Sequence, residues 1–211
     1  MGIIEELTRS RVLAIVRYRN GGDTIGALRT MAEAGLTTVE VTTQTPEWPA
    51  VVAAALAEGL SAGVGTVTTL AQLDDAADAG ARFMVSPGLD VELVRAARER
   101  DMEPLPGVST ATEILAAQRA GVRLFKLFPA GALGLDYLRQ LRGPFPDLDF
   151  VPTGGIGIDA VADWLDAGAF AVAIGSDLVG RAAPASDADR AELTQRTRRA
   201  VAAGSSPTVQ A

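Results

Sequence analysis

The sequence predicts an α/β fold, a (β/α)8 TIM barrel with a short N-terminal helix. Three observations carry that prediction: a regular alternation of helical and strand-like segments, a small-residue pair recurring at one point of the alternation, and no dinucleotide-binding fingerprint. The pairs Ala34-Gly35, Ala79-Gly80, Ala120-Gly121 and Ala167-Gly168 close apolar-periodic segments. Each glycine fits the left-handed position just past a helix end. Strand-like runs follow within a few residues: Thr37 to Thr42, Arg82 to Ser86, Arg123 to Phe128 and Phe170 to Gly175. The repeating unit is helix, glycine, strand.

Four more strand candidates lie between these, Val12 to Arg17, Gly63 to Val67, Glu103 to Val108 and Asp149 to Thr153, which makes eight. Their starts, at 12, 37, 63, 82, 103, 123, 149 and 170, are 19 to 26 residues apart. That is room for the crossover that returns a chain to the same edge of a parallel sheet. An open doubly wound sheet is the structural rival, but it usually has fewer strands, and no G-x-G-x-x-G follows the first one. Ile3 to Ser10 reads as a short helix able to plug the barrel bottom, and Asp187 to Ala203 as a terminal helix. Residues 1–203 are expected to form one domain and 204–211 a frayed tail.

The chain has 211 residues, 48% hydrophobic and 21% charged, enough for an ample core. A net charge of -7 repels polyanions, so neither nucleic acid nor an anionic membrane surface is expected as a partner. A small anion in a locally positive pocket remains possible. With no Cys and no His there is no disulfide, thiolate nucleophile or imidazole base. Catalysis must then use Lys, Glu, Asp, Tyr, Ser or Thr; a magnesium site built from carboxylates survives this filter. The segment Met1 to Arg11 carries Glu5 and Glu6 in place of a basic stretch, and no apolar run approaches the roughly 18 residues of a membrane span. A cytoplasmic protein is expected.

Of the 19 Lys plus Arg, one is a lysine, Lys126. A chain that otherwise uses Arg for its cations retains an amine where guanidinium cannot serve, and only the amine can lose its proton and attack a carbonyl to form a Schiff base. Chance survival of a single lysine is the plainer reading.

In a barrel, active groups sit at the C-terminal strand ends. Those ends deliver Arg17, Glu40 with Thr42, Thr66, Ser86, Lys126, Thr153-Gly154-Gly155 and Gly175-Ser176. Alternation puts Leu124, Lys126 and Phe128 on one face of their strand. An unpaired ammonium there is costly, which favours catalysis over structure, although a salt bridge to Glu40 is the alternative. Glu40, among β-branched neighbours in Thr38-Val39-Glu40-Val41-Thr42, is placed to move protons beside the amine. Gly154-Gly155 and Gly175-Ser176 each precede a helix, near Ile158 and Asp177, where backbone N–H groups can approach an anion.

Taken together, Ala14-Ile15-Val16-Arg17, Glu40-Val41-Thr42, Gly63-Val64-Gly65-Thr66-Val67, Val85-Ser86-Pro87-Gly88, Pro106-Gly107-Val108-Ser109-Thr110, Phe125-Lys126-Leu127-Phe128-Pro129-Ala130 and Pro152-Thr153-Gly154-Gly155-Ile156 resemble the 2-keto-3-deoxy-6-phosphogluconate / 4-hydroxy-2-oxoglutarate aldolase family. The resemblance runs from about Val12 to Val179. It implies a class I aldolase without metal or cofactor, cleaving 2-keto-3-deoxy-6-phosphogluconate to pyruvate and glyceraldehyde 3-phosphate, in a homotrimer. By the same resemblance Lys126 forms the Schiff base and Glu40 shuttles protons. Thr66 holds the pyruvate carboxylate, Phe128 walls the pocket, Thr153 is of the gluconate type, and Gly154, Gly155, Gly175 and Ser176 take the phosphate.

Two positions depart from the family pattern. Gln44 stands where many relatives have an arginine that grips substrate, and an amide cannot form that charge-assisted fork. Arg17 is expected to supply the missing cation. Gly131 stands where relatives often have an acid. These departures leave the 6-phosphogalactonate epimer and 4-hydroxy-2-oxoglutarate as alternative substrates, and a non-catalytic phosphate-binding barrel as an alternative class. A decarboxylase resembling an Asp-x-Lys-x-x-Asp strand is disfavoured by Leu124 and Pro129 at the acid positions.

Overall fold

The computed structural model describes residues 3–205. The tail expected over 204–211 lies, from residue 206 onward, outside the described residues. Gly204 is a correction, since it closes the terminal helix Asp187–Gly204.

Among the described residues the strands are β1 Val12–Val16, β2 Thr38–Thr42, β3 Ser61–Gly65, β4 Phe83–Val85, β5 Glu103–Leu105, β6 Gly107–Val108, β7 Leu124–Leu127, β8 Asp149–Pro152 and β9 Val172–Ile174. All their pairings are parallel. Six form one sheet in the order β5-β4-β3-β2-β1-β9, and three form a second in the order β6-β7-β8. The protein is therefore α/β with a curled parallel sheet, its strands divided between two hydrogen-bonded groups where one ring of eight was expected to pair throughout. The expected fifth strand is broken at Pro106, which has no N–H to give to a ladder. Its first half pairs with β4 and its second with β7. At the other boundary, Thr153 and Ala173 form one parallel bridge just beyond β8.

The repeated Ala-Gly pair does what its position predicts. The N–H of Gly35 donates to Ala32 and that of Leu36 to Met31, both at 3.0 Å. The same two bonds recur at Gly80, Gly121 and Gly168, and all four glycines have positive φ. This closure satisfies the last carbonyls of each helix and turns the chain into the next strand.

Strand alternation separates two apolar layers. Val39, Val41, Val64, Met84 and Phe125 face outward onto helix residues such as Leu28, Met31 and Leu73. Leu13, Ile15, Phe83, Val85, Leu124 and Val151 face inward. Ile3 and Leu7, on the helix Ile3–Ser10, join the inner layer. That helix closes one end of the interior, leaving the other for the site.

β3 begins two residues before its expected start. Two of its inward positions are bare, because a β-carbon on Gly63 would overlap the Phe83 ring and one on Gly65 the Glu40 carboxylate. The strand carries few of the β-branched residues that mark the others, and the expected end at Val67 is lost because Thr66 turns away at φ 61°.

Candidate active site

Lys126 lies on β7 in register with Gly107 and Val151 and is 5% exposed. Its Nζ sits 5.2 Å from the centre of the Phe128 ring, within cation–π range. Among the described residues no ion pair includes Lys126 or Glu40. The salt bridge that could have explained a buried lysine structurally is absent there.

Glu40 is 1% exposed, in register between Ile15 and Gly63. Neither carboxylate oxygen has a hydrogen-bond partner among the described residues. Burial pushes its pKa above the ordinary carboxylate value, while the positive charges of Lys126 and Arg17 pull it back. A carboxyl held by packing alone, in the field of an amine, is suited to exchanging protons.

Above them opens a cavity of about 870 Å³. Of the residues expected at the site, Arg17, Lys126, Phe128, Thr153, Gly154, Gly155, Gly175 and Ser176 line it. Glu40, Thr66 and Gln44 are not among the lining residues. Glu40 is buried in the interior. Gln44 is exposed, and its Oε1 accepts a hydrogen bond from Arg19 Nη2 at 3.0 Å. The Thr66 carbonyl accepts from Thr43 Oγ1 at 3.1 Å.

Backbone contacts join the glycine turn to the short helix that follows the lysine strand. The N–H of Ala130 donates to Thr153 and that of Gly131 to Gly154, each at 2.8 Å. A β-carbon on Gly131 would stand 2.8 Å from the carbonyl oxygens of both Gly154 and Gly155. Gly131 thus has a structural reason: any side chain there would force the two segments apart.

One expectation about the anion end needs correcting. The backbone N–H of Ile158 donates to Asp177 Oδ2 at 2.7 Å, so the helix beginning there is already capped by a carboxylate. Gly154, Gly155, Gly175 and Ser176 remain along the cavity. Sequence reasoning also missed Arg19, Asn20, Asp177 and Arg181, which line it too. Arg19, Asn20 and Arg181 sit on short connecting segments without periodicity, and Asp177 in the short helix Ser176–Val179; the one available signal was that acid in a helix's first turn.

Fold and site define a class: a parallel α/β protein with the equipment of a class I aldolase, a lysine and a carboxyl together at the strand ends. The family model described as "Aldolase: KDPG and KHG aldolase" matches residues 3–196, and the chain belongs to that family. It is 38% identical over 166 residues to the 2-dehydro-3-deoxy-phosphogluconate aldolase of Pseudomonas aeruginosa, covering 77% of this chain and 76% of that one. It is 33% identical over 176 residues to the 2-dehydro-3-deoxy-6-phosphogalactonate aldolase of Escherichia coli K12, covering 81% and 85%. The crystal structure of KDPG aldolase from Legionella pneumophila, with pyruvate captured at low pH as a covalent carbinolamine intermediate, superposes with a TM-score of 0.76 at 25% identity. That comparison covers 96% of each chain.

Proposed function

We propose that this chain cleaves 2-keto-3-deoxy-6-phosphogluconate to pyruvate and glyceraldehyde 3-phosphate through a Schiff base on Lys126. The observation that carries the reading is the chain's one lysine, buried on the wall of the cavity with no ion-pair partner among the described residues. Its amine attacks the C2 ketone, water leaves, and the protonated imine becomes the electron sink. Glu40, acting through water, accepts the C4 hydroxyl proton; the C3–C4 bond breaks and leaves an enamine. Protonation at C3 and hydrolysis release pyruvate and restore the amine. Arg17 and Thr66 hold the carboxylate end, Phe128 and Thr153 shape the middle, and Gly154, Gly155, Gly175 and Ser176 receive the phosphate. The covalent pyruvate intermediate of the Legionella protein supports the first steps.

A second reading, the same chemistry on the 6-phosphogalactonate epimer, is favoured by the neutral Gln44 and by the likeness to the Escherichia coli protein named for that substrate. The finer architecture belongs to the same proposal. We read the two sheets as one closed eight-stranded barrel forming a single domain over 1–203. Support comes from the continuity of β5 and β6 across Pro106 and from the Thr153–Ala173 bridge. The homotrimer implied by the resemblance and the cytoplasmic location expected from the sequence complete it.

Borohydride trapping tests the reaction. Incubation with pyruvate and borohydride is expected to give a covalent adduct, located by intact mass and peptide mapping at Lys126, and none with Lys126→Ala. A wild-type protein that forms no adduct overturns the proposal.

A further inference from the structure

The chain has 26 acidic against 19 basic side chains, yet the charged groups lining the cavity are Arg17, Arg19, Lys126 and Arg181 against one carboxylate, Asp177. That carboxylate is already engaged by the Ile158 N–H. Elsewhere arginines are matched to acids, as in Arg29–Glu58, Arg100–Asp74 and Arg199–Asp159. Arg181 is exposed and makes no hydrogen bond or ion pair among the described residues, and Arg19 meets only the neutral Gln44.

Two contacts bring these arginines onto neighbouring segments. The buried Tyr18 hydroxyl donates to the Val179 carbonyl at 2.6 Å, tying the segment after β1 to the helix Ser176–Val179. A β-carbon on Gly22 would stand 3.1 Å from Ala183 Cβ, so the two connecting segments lie against each other. Arg19 follows Tyr18 directly, and Arg181 comes two residues after Val179.

We infer that Arg19 and Arg181 are a pair of anion contacts at the cavity mouth that grip the substrate's phosphate in addition to the glycine turn, with Tyr18 as their positioning residue. The inference rests on the aldolase reading and deepens it. A planar guanidinium offers paired donors to phosphate oxygens, and a cationic cleft on an acidic molecule concentrates anionic substrate.

The test compares Arg19→Gln, Arg181→Gln, the double variant and Tyr18→Phe in two assays: cleavage of the phosphorylated substrate across a salt series, and the rate of pyruvate trapping, which involves no phosphate. Each arginine variant is expected to raise KM for cleavage by roughly tenfold or more. The loss in cleavage should exceed the loss in trapping at least several-fold, and the double variant should show a flatter salt dependence. Tyr18→Phe should show the same bias at smaller size. Equal losses in both assays, or a KM change below about twofold in the double variant, would overturn the inference. If wild type neither cleaves nor traps, the aldolase reading fails separately; calorimetric binding of inorganic phosphate, expected to weaken in the double variant and overturning if it does not, still decides the role of the arginines.

Discussion

The Glu40 carboxylate fills the space that a side chain on Gly65 would occupy. The overlap is with Oε1 itself, and no hydrogen bond from a described residue holds either oxygen. The acid is aimed by the shape of the next strand and by the charges around it.

Gly65→Ala is therefore expected to cost about 1–3 kcal/mol of stability, as overpacking does. It should also slow cleavage at least tenfold by displacing the carboxylate. Chemical denaturation and kcat measure the two effects. Wild-type values for both would show that the carboxylate can move without consequence.

Glu40→Gln separates charge from shape. Burial raises the folded-state pKa of Glu40 above its ordinary 4.5, so between that value and the raised one the native state holds a proton that the unfolded chain releases. The stability linked to this proton is full below 4.5 and is lost as pH rises through the folded value. The Tm of the variant relative to wild type should consequently climb from pH 4 towards neutrality. In catalysis the acid limb of the wild-type rate profile should lie above 4.5, because the base works ionised. A Tm difference that is flat with pH would contradict this account.

Arg17 lines the cavity, whereas Gln44 is outside it and occupied by Arg19. Arg17→Ala should raise KM by about tenfold or more, the loss of a charge-assisted contact, and Gln44→Ala by much less. Equal, small effects would refute the idea that Arg17 replaces the arginine missing at position 44.

Thr66 is a β-branched residue at φ 61°, a conformation that costs of order 1–3 kcal/mol and persists where surroundings enforce it. Thr66→Gly should be at least as stable as wild type in denaturant, yet slower in pyruvate trapping. A glycine variant that traps pyruvate at the wild-type rate would remove the hydroxyl from the site.

Much of the fold was legible because local chemistry agreed with its context. The helix Ile3–Ser10 has the expected bounds, and Gly35, Gly80, Gly121 and Gly168 close helices as expected. β3 was misplaced because its inward positions are shaped by Phe83 and Glu40, partners distant in sequence. Lys126 and Glu40 were legible as ionisable residues inside strands. Arg19 and Arg181 were not, since loop arginines look like any solvated cation until a hydrogen bond such as Tyr18 to Val179 brings their segments together.

The main-chain bonds from Ala130 to Thr153 and from Gly131 to Gly154 tie the segment directly after the amine-bearing strand to the double-glycine turn. On the proposed reading, with the amine as nucleophile and the turn as the phosphate seat, these bonds fix the spacing of the two and so gauge the length of the molecule spanning them. Ketoacids one carbon too short or too long would meet the nucleophile at one end only by surrendering their grip at the other.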